Sequence, residues 1–285
     1  MMRTFRDVMG SLDGTGDIDC SNMGLTSLDG CPEIVEGSFN CSGNRLTTLD
    51  GAPEITGSFD CSSNILVSLE GGPNKINGDF DCSDNRLTCL RGAPAKVKGS
   101  FDCSGNRLLS LKGATKKVKG RFDCSNNLLG SLYGSPLVTG SFNCSSNRLL
   151  SLEGAPDEVR HDFDCSDNML SSLAGCPEFV NGHFFCTGNR LENLKHGPVE
   201  VYGDFDCSGN RLTTLKRSPK IVTGNINCSA NPITSCVRTN TRTSNEDHGR
   251  SCMKLVHEAS SRVCCLGLNE HMHLSMTSFP VYAAC

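Results

Sequence analysis

The hydrophobic and polar positions of this chain repeat with a period of 20 or 21 residues. A clear copy runs from Val97 to Leu111, where Phe101 and Cys103 alternate around Asp102. Successive side chains of an extended segment point to opposite faces, so Phe101 and Cys103 face one side and Asp102 faces the other. The pattern therefore predicts one short, half-buried β-strand in each copy.

The apolar positions are shared by nearly all copies. Phe or Ile lies two residues before a repeated Cys, Val or Ile lies six residues before it, and Leu follows it at five and eight residues in most copies. The repeated cysteines are Cys20, Cys41, Cys61, Cys82, Cys103, Cys124, Cys144, Cys165, Cys186, Cys207 and Cys228. One unit cannot bury its own apolar face, so the copies are expected to stack around one continuous core.

Polar and turn-forming residues complete each copy. Asn lies three residues after the Cys in every copy but the first. The amide of this Asn can bond backbone groups of neighbouring turns. Gly and Pro follow the second Leu, since Gly permits positive φ and Pro presets φ near about −65°. These breaks leave no room for a full helix on the return side. The sequence predicts a mostly β, right-handed solenoid with one parallel sheet of about 11 short strands and an irregular convex side.

The repeat pattern divides the chain into three parts. The predicted array covers residues 17–236, and the helical spacing of Phe5 and Val8 in residues 1–16 predicts an N-terminal cap or a degenerate repeat. Residues 237–285 show no repeat, and their polar stretch 238–251 favours disorder. Because the pattern stops abruptly at Cys236, a frameshift or recombination junction is an alternative origin of this tail.

The repeated phrase resembles a known family. Asn106-Arg107-Leu108 after Phe101-x-Cys103 is similar to the leucine-rich-repeat consensus, with Phe and Cys at the two strand positions. The short period and the Leu-x-Gly-x-Pro ending resemble the short bacterial class and arrays encoded by bacteriophages and some bacteria. The resemblance covers about residues 17–236 and implies a parallel-sheet solenoid. It does not imply one partner, because a single fold can carry many functions.

Composition and charge narrow the classes of partner. The 285 residues carry a formal net charge of -4, which does not favour a nucleic-acid or membrane-surface partner. No stretch reaches the roughly 18 apolar residues of a membrane span, and Met1–Gly16 lacks the apolar run of a signal peptide. We therefore expect a cytoplasmic or intracellular protein with reduced thiols. The sequence leaves the oligomeric state open.

Packing is the favoured explanation of the repeated cysteines. Neighbouring Cα atoms are expected about 4.8 Å apart, but parallel Cβ vectors keep the Cβ atoms further apart than the ~3.8 Å that a disulfide prefers. Burial also raises the pKa of a thiol and reduces its reactivity. A disulfide, metal or redox ladder is the alternative.

Metal sites are weakly indicated. Asp79, Asp81 and Asp84 suggest calcium, but the Gly-Gly-x-Gly-x-Asp signature of calcium-binding β-rolls is absent. Cys252 and His257 suggest zinc, but the tail has no Cys-x2-Cys pair. We expect neither a metal nor another cofactor.

The outward strand position is the candidate binding surface. Asp or Asn recurs there, and in a leucine-rich repeat these side chains line the concave sheet. Like charges at sheet spacing repel each other. The row is therefore either an acidic surface for a basic protein segment or a solvated face partly neutralised by arginines such as Arg107. The candidate partner-binding residues are Asp60, Asp81, Asp102, Asp123, Asp164, His183, Phe185 and Asp206.

The candidate specificity positions are the breaks in the row, which are Phe185 and His183, with Arg121 further back. Phe185 is an aromatic where Asp or Asn is the rule, and exposed aromatics are favoured binding anchors. We find no nucleophile elbow, phosphate loop or isolated carboxylate pair. The sequence thus predicts a non-enzymatic protein-protein interaction scaffold that binds a protein partner on its acidic concave sheet. The alternative is a structural spacer or a component of a phage or bacterial assembly, and an enzyme in the tail is a third hypothesis.

Overall fold

The structure is a computed structural model that describes residues 3–234. The predicted tail 237–285, its candidate zinc ligands and the proposed junction lie outside the described residues. The described chain begins with helix α1 (Phe5–Met9). The strands that follow are β1 (Ile18–Asp19), β2 (Ile34–Val35), β3 (Phe39–Asn40), β4 (Glu54–Ile55), β5 (Phe59–Asp60), β6 (Lys75–Ile76), β7 (Phe80–Asp81), β8 (Lys96–Val97), β9 (Phe101–Asp102), β10 (Lys117–Val118), β11 (Phe122–Asp123), β12 (Leu137–Val138), β13 (Phe142–Asn143), β14 (Phe163–Asp164), β15 (Phe179–Val180), β16 (Phe184–Phe185), β17 (Glu200–Val201), β18 (Phe205–Asp206), β19 (Ile221–Val222) and β20 (Ile226–Asn227).

The main sheet contains one strand from every copy of the repeat. Its order is β1-β3-β5-β7-β9-β11-β13-β14-β16-β18-β20, and its strands pair in parallel. The register joins equivalent positions, so Phe101 pairs with Phe80 on one side and Phe122 on the other. The predicted mostly β solenoid with an 11-stranded parallel sheet is confirmed.

A column of phenylalanines forms the centre of the core. Neighbouring ring centroids lie between 5.0 and 6.2 Å apart from Phe5 to Phe205. The repeated cysteines and both Leu positions lie in the same buried cluster. The Cys103 thiol donates to the carbonyl of Asp123 in the next copy at 3.1 Å. The repeated cysteines are buried in the core, as the packing explanation predicts. This burial is the main cause that raises the pKa of the Cys103 thiol.

The repeated asparagines connect neighbouring copies. The amide of Asn106 donates to the carbonyls of Cys82, Cys103 and Ser104 at 3.0, 3.2 and 3.1 Å. Its Oδ1 accepts a hydrogen bond from the backbone N–H of Leu87 at 3.0 Å. This one buried side chain therefore satisfies four backbone groups in two successive copies, as the predicted ladder requires.

The return side is more regular than the predicted irregular convex side. Three smaller parallel sheets, β2-β4, β6-β8-β10-β12 and β15-β17-β19, run beside the main sheet. In each of their strands the second residue is buried, as Val97 is, and the first faces outward, as Lys96 does in β8. The regular repeat brings these extended segments side by side, so their backbone groups can pair with each other.

Helix α1 lies against the first copy of the repeat. Thr4 and Asp7 form a capping box at its start, because each side chain accepts from the backbone N–H of the other. Phe5 is fully buried and its ring lies 6.2 Å from that of Phe39. The backbone N–H of Phe5 donates to the carbonyl of Ser27. These contacts cover apolar surface at the start of the stack.

Candidate functional site

The outward positions of the main sheet form one in-register row. We call this set the aspartate row: Asp19, Asn40, Asp60, Asp81, Asp102, Asp123, Asn143, Asp164, Phe185, Asp206 and Asn227. Most of its members are half-buried, whereas Asp123 is buried. Eight binding residues are predicted, and six of them are carboxylates. These six and Phe185 therefore lie on one face, and His183 lies beside them, two residues before Phe185.

Each Asp or Asn of the row also ends its strand. Asp102 Oδ1 accepts a hydrogen bond from the backbone N–H of Ser104 at 2.9 Å, and the Ser104 hydroxyl donates to the same oxygen at 2.6 Å. The equivalent backbone bond occurs at every Asp or Asn of the row. The Asp or Asn side chain thus stabilises the turn that follows the strand. The alternation of apolar and polar residues does not predict this role, but the repeated Asp-Cys-Ser phrase indicates it.

The second carboxylate oxygen distinguishes the members of the row. Asp123 Oδ2 contacts the Arg121 guanidinium and accepts from the amide of Asn143 at 3.1 Å. Asp206 Oδ2 accepts from the amide of Asn227 at 2.9 Å. Within residues 3–234, no side chain donates to Oδ2 of Asp60, Asp81, Asp102 or Asp164. These four oxygens are available to a partner.

Burial and neighbouring carboxylates together raise the pKa of the aspartates in the middle of the row. Burial is the main cause that raises the pKa of Asp81, and the adjacent Asp102 and Asp60 raise it further. Burial likewise raises the pKa of Asp102, with a smaller contribution from Asp123. Hydrogen bonds from Ser83 and Ser104 oppose these effects. The row thus concentrates negative charge that the fold does not fully compensate.

The arginines beside the repeated asparagines do not neutralise the negative charge of the aspartate row. Arg86, Arg107 and Arg148 are exposed and form no ion pair within the part of the chain that the structure describes. Arg121 alone contacts a carboxylate of the row there. Apart from Asp123, the carboxylates of the row thus form no ion pair with a described residue.

Phe185 interrupts the row between two carboxylates. It pairs in register with Asp164 on one side and Asp206 on the other. The ring of His183 stacks on it, with centroids 5.6 Å apart and an interplanar angle of 15°. His183 Nδ1 accepts from the backbone N–H of Asp204 at 3.0 Å, so the Nδ1 lone pair is engaged and a neutral imidazole carries its proton on Nε2. His183 therefore holds the aromatic surface in place.

A hollow of about 320 Å³ lies next to Phe185 on the same face. It is lined by Arg121, Ser141, Phe142, Asn143, Asp162, Asp164 and Phe185. Of the predicted binding residues the hollow brings together Asp164 and Phe185, whereas Asp60, Asp81, Asp102, Asp123, His183 and Asp206 lie outside its lining. Asp162 uses one oxygen to accept from the backbone N–H of His183 at 2.8 Å. Its other oxygen has no donor among the described residues.

Neither a metal-binding cluster nor a membrane-spanning helix occurs among the described residues. Among residues 3–234 no cluster of three or more His, Cys, Asp or Glu side chains is arranged to hold a metal ion. In the Asp79–Asp84 stretch, Asp79 Oδ1 accepts from the backbone N–H of Ser100 at 2.7 Å and Asp81 Oδ1 accepts from Ser83, so two of the candidate calcium ligands serve the fold. No helix in the described part of the chain is long and apolar enough to cross a bilayer.

The unequal roles of the two carboxylate oxygens give a stability prediction. Asp102→Asn keeps the Oδ1 acceptor and removes a like-charge contact, so the free energy of unfolding at pH 7 is expected to rise by about 0.5 kcal/mol. Burial raises the folded-state pKa of Asp102 above its usual 3.8, so the folded protein binds this proton more tightly than the unfolded chain. Wild-type stability therefore falls as pH rises from the pKa of Asp102 in the unfolded chain to its higher pKa in the folded protein. Below this interval the carboxyl is protonated in both states, and the stability advantage of Asn disappears. Urea titrations at several pH values measure the difference.

The matched control is Asp102→Ala, which removes the charge and the acceptor together. It is expected to be about 1 kcal/mol less stable than the Asn variant. An Asn variant less stable than wild type at pH 7 would contradict an uncompensated charge at this position.

The solenoid architecture has a counterpart among solved structures. No protein-family model and no curated protein matches the chain. The solved structure of YopM from Yersinia enterocolitica is similar with a TM-score of 0.50 and 19% identity, over 80% of this chain and 58% of that chain. This chain thus spans less than two thirds of that protein. YopM from Yersinia pestis, named a leucine-rich effector protein, gives a TM-score of 0.38 and 15% identity over 80% and 88% of the two chains. The functional domain of InlJ from Listeria monocytogenes, which includes a cysteine ladder, gives 0.38 and 17% over 80% and 66%. The fold is a short bacterial-type leucine-rich-repeat solenoid.

Proposed function

We propose that this protein is a non-enzymatic interaction scaffold whose aspartate row binds a basic segment of a protein partner. The observation that carries the proposal is the hollow beside Phe185, where a half-buried aromatic ring lies next to two carboxylates that each keep a free oxygen. A surface of this composition matches a guanidinium or ammonium group.

The proposed occupant follows from the chemistry of the lining. The free oxygens of Asp162 and Asp164 accept hydrogen bonds from a cationic side chain, and the face of Phe185 attracts the same cation. The contact of the protein's own Arg121 with Asp123 supports the proposal, because it is a guanidinium packed against a carboxylate of the row. Further along the row, Asp60, Asp81 and Asp102 extend the acidic surface to further basic residues of the partner.

A structural spacer is the second candidate function. It is favoured by the turn bonds of the row, since a position used for folding needs no partner to explain it. The two functions differ in what they predict for substitutions that keep the fold. A spacer is indifferent to them, whereas a binding surface is not.

The binding prediction uses the full chain and a fluorescent hexa-arginine peptide as the probe. Phe185→Ala is expected to weaken binding about fivefold in an anisotropy titration, because it removes the aromatic face and leaves every carboxylate in place. Asp102→Lys is expected to weaken binding further because it introduces a repelling charge into the row. Glu192→Lys, an exposed position away from the row, is the matched control and is expected to change the affinity less than twofold.

Phe185→Asp separates a specific site from general attraction. It gives this copy the residue that most other copies have and adds a negative charge. If charge alone determines binding, this variant binds the peptide more tightly than wild type, and the role of Phe185 is contradicted. If both Phe185→Ala and Asp102→Lys bind the probe as wild type does, the row is not the binding surface.

A further inference from the structure

Six lysines gather on the return side of three successive copies. They belong to β6, β8 and β10 and to the residues next to these strands, and all six are exposed. We call this set the lysine patch: Lys75, Lys96, Lys98, Lys116, Lys117 and Lys119. The net charge of -4 does not reveal it, because acidic residues elsewhere in the chain outnumber the basic ones.

The sheet register places the lysines of the patch side by side. Lys75 pairs with Lys96, and the pairing of Val97 with Val118 places Lys117 beside Lys96. Lys98 and Lys119 follow two residues later and so face the same side. Side chains in this arrangement lie about 5 Å apart across the strands and about 7 Å apart along them.

The fold gives the lysine patch no counter-charge. The ion pairs of the described residues join Arg91 to Glu70 and Arg121 to Asp123, and neither of them includes a lysine of the patch. Like charges at sheet spacing destabilise the fold. A negatively charged partner removes that repulsion when it binds.

The borders of the patch limit the shape of the partner. The equivalent strand position of the copy before Lys75 is Glu54, and the copies after Lys117 have Leu137 and then Glu158. Positive charge thus extends over three copies, which is about 10 Å along the sheet. A membrane surface or a long duplex would also meet Glu54 and Glu158, so the borders favour a compact anionic partner.

The composition of the patch separates a protein partner from single-stranded nucleic acid. Single-stranded nucleic acid is bound by aromatic side chains on which bases stack, together with basic residues. No aromatic residue lies at an outward position of β6, β8 or β10 or in the two residues that follow each strand. Lysine alone supplies point charges that suit carboxylates of variable geometry.

We propose that the lysine patch binds a short acidic segment of a partner protein. This site lies on a different sheet from the aspartate row and does not depend on it. The two faces have opposite charge, so the scaffold holds one basic and one acidic segment at the same time.

The test uses the full chain and a fluorescent octaglutamate peptide in anisotropy titrations at low and physiological salt. Wild type is expected to bind the peptide with an affinity that falls as salt is raised. The double variant Lys96→Glu, Lys117→Glu is expected to bind about tenfold more weakly, since each change replaces attraction with repulsion. The milder pair Lys96→Gln, Lys117→Gln is expected to give an intermediate loss.

The control keeps the same change in net charge. Lys195→Glu, Lys216→Glu alters two exposed lysines outside the patch and is expected to change the affinity less than twofold. Equal losses in the control and the patch variant would overturn the proposal, because net charge would then explain the binding. Circular dichroism verifies that each variant is folded. If the double glutamate variant is unfolded, the affinity of the double glutamine variant is compared with that of wild type instead.

Two further probes test the identity of the partner. Octathymidylate and vesicles containing phosphatidylserine are titrated against wild type and the glutamate pair. The proposal is supported if octaglutamate binds more tightly than octathymidylate and the vesicles do not discriminate between the two proteins. Tighter binding of octathymidylate, or vesicle binding that the patch variant loses, would assign the patch to nucleic acid or to a membrane instead.

Discussion

Phe101→Ala is expected to lower the free energy of unfolding by about 4 kcal/mol. The Phe101 side chain is fully buried, and its ring contacts those of Phe80 and Phe122 at centroid distances of 5.0 and 5.5 Å. The substitution therefore removes aromatic contacts on two sides and leaves a cavity between two copies. Urea denaturation followed by circular dichroism measures the loss.

The matched control for Phe101 is Leu109→Ala in the same copy. Leu109 is 63% exposed, so its truncation is expected to cost less than about 0.5 kcal/mol. Because each copy contacts its neighbours, the cavity also weakens the coupling between the two halves of the array. A single transition with a loss below 1 kcal/mol for Phe101→Ala would contradict a continuous, tightly packed column.

Asn106→Ala is expected to cost about 3 kcal/mol. It leaves the carbonyls of Cys82 and Cys103 and the N–H of Leu87 without their side-chain partner in a buried position. The loss is measured by the same denaturation experiment. Asn181→Ala, at an exposed position, is the control and is expected to be nearly neutral.

Asn106→Asp tests the donors separately from the acceptor. The carboxylate keeps the acceptor for Leu87 but faces carbonyl oxygens with no proton to donate, so we expect a loss at pH 7 similar to that of Ala. Burial raises the folded-state pKa of such a carboxyl, and protonation restores one donor, so the stability of this variant should recover as pH falls. A variant that is as stable as wild type at pH 7 would show that the amide donors contribute little.

The core was predictable because its chemistry repeats. Phe101, Cys103 and Asn106 each have an equivalent in the neighbouring copies, so the spacing along the chain translates directly into columns in the stack. The second Leu and the buried Val97 follow the same rule. For these positions the period alone determines which side chains meet.

The hollow beside Phe185 was only partly predictable. The sequence singles out Phe185, His183 and Arg121, but the lining of the hollow contains Phe185 and Arg121 and not His183. Which carboxylates keep a free oxygen depends on side-chain hydrogen bonds, such as that from Asn143 to Asp123, and no periodicity specifies them. Sequence spacing locates the row, and the side-chain geometry selects the site within it.

The lysine patch is not predictable from the sequence, for a different reason. The return side was expected to be irregular, so Lys96 and Lys117 had no predicted neighbours. Once β8 and β10 pair, residues 21 positions apart become adjacent side chains. A count of net charge over the whole chain cannot detect a local excess that pairing creates.

The in-register stacking of equivalent positions determines which insertions and deletions the gene can tolerate. Phe39 pairs with Phe59 and Phe80 pairs with Phe101, although the first pair is 20 residues apart and the second is 21. The return side thus absorbs a difference of one residue, whereas a deletion between Phe and Asn would turn the strand's side chains to the wrong face. Unequal crossing-over that adds or removes whole copies rebuilds the same junction each time. Such a gene can change the length of its product in steps of one copy, and with it the number of carboxylates in the row, without passing through an unfolded ancestor.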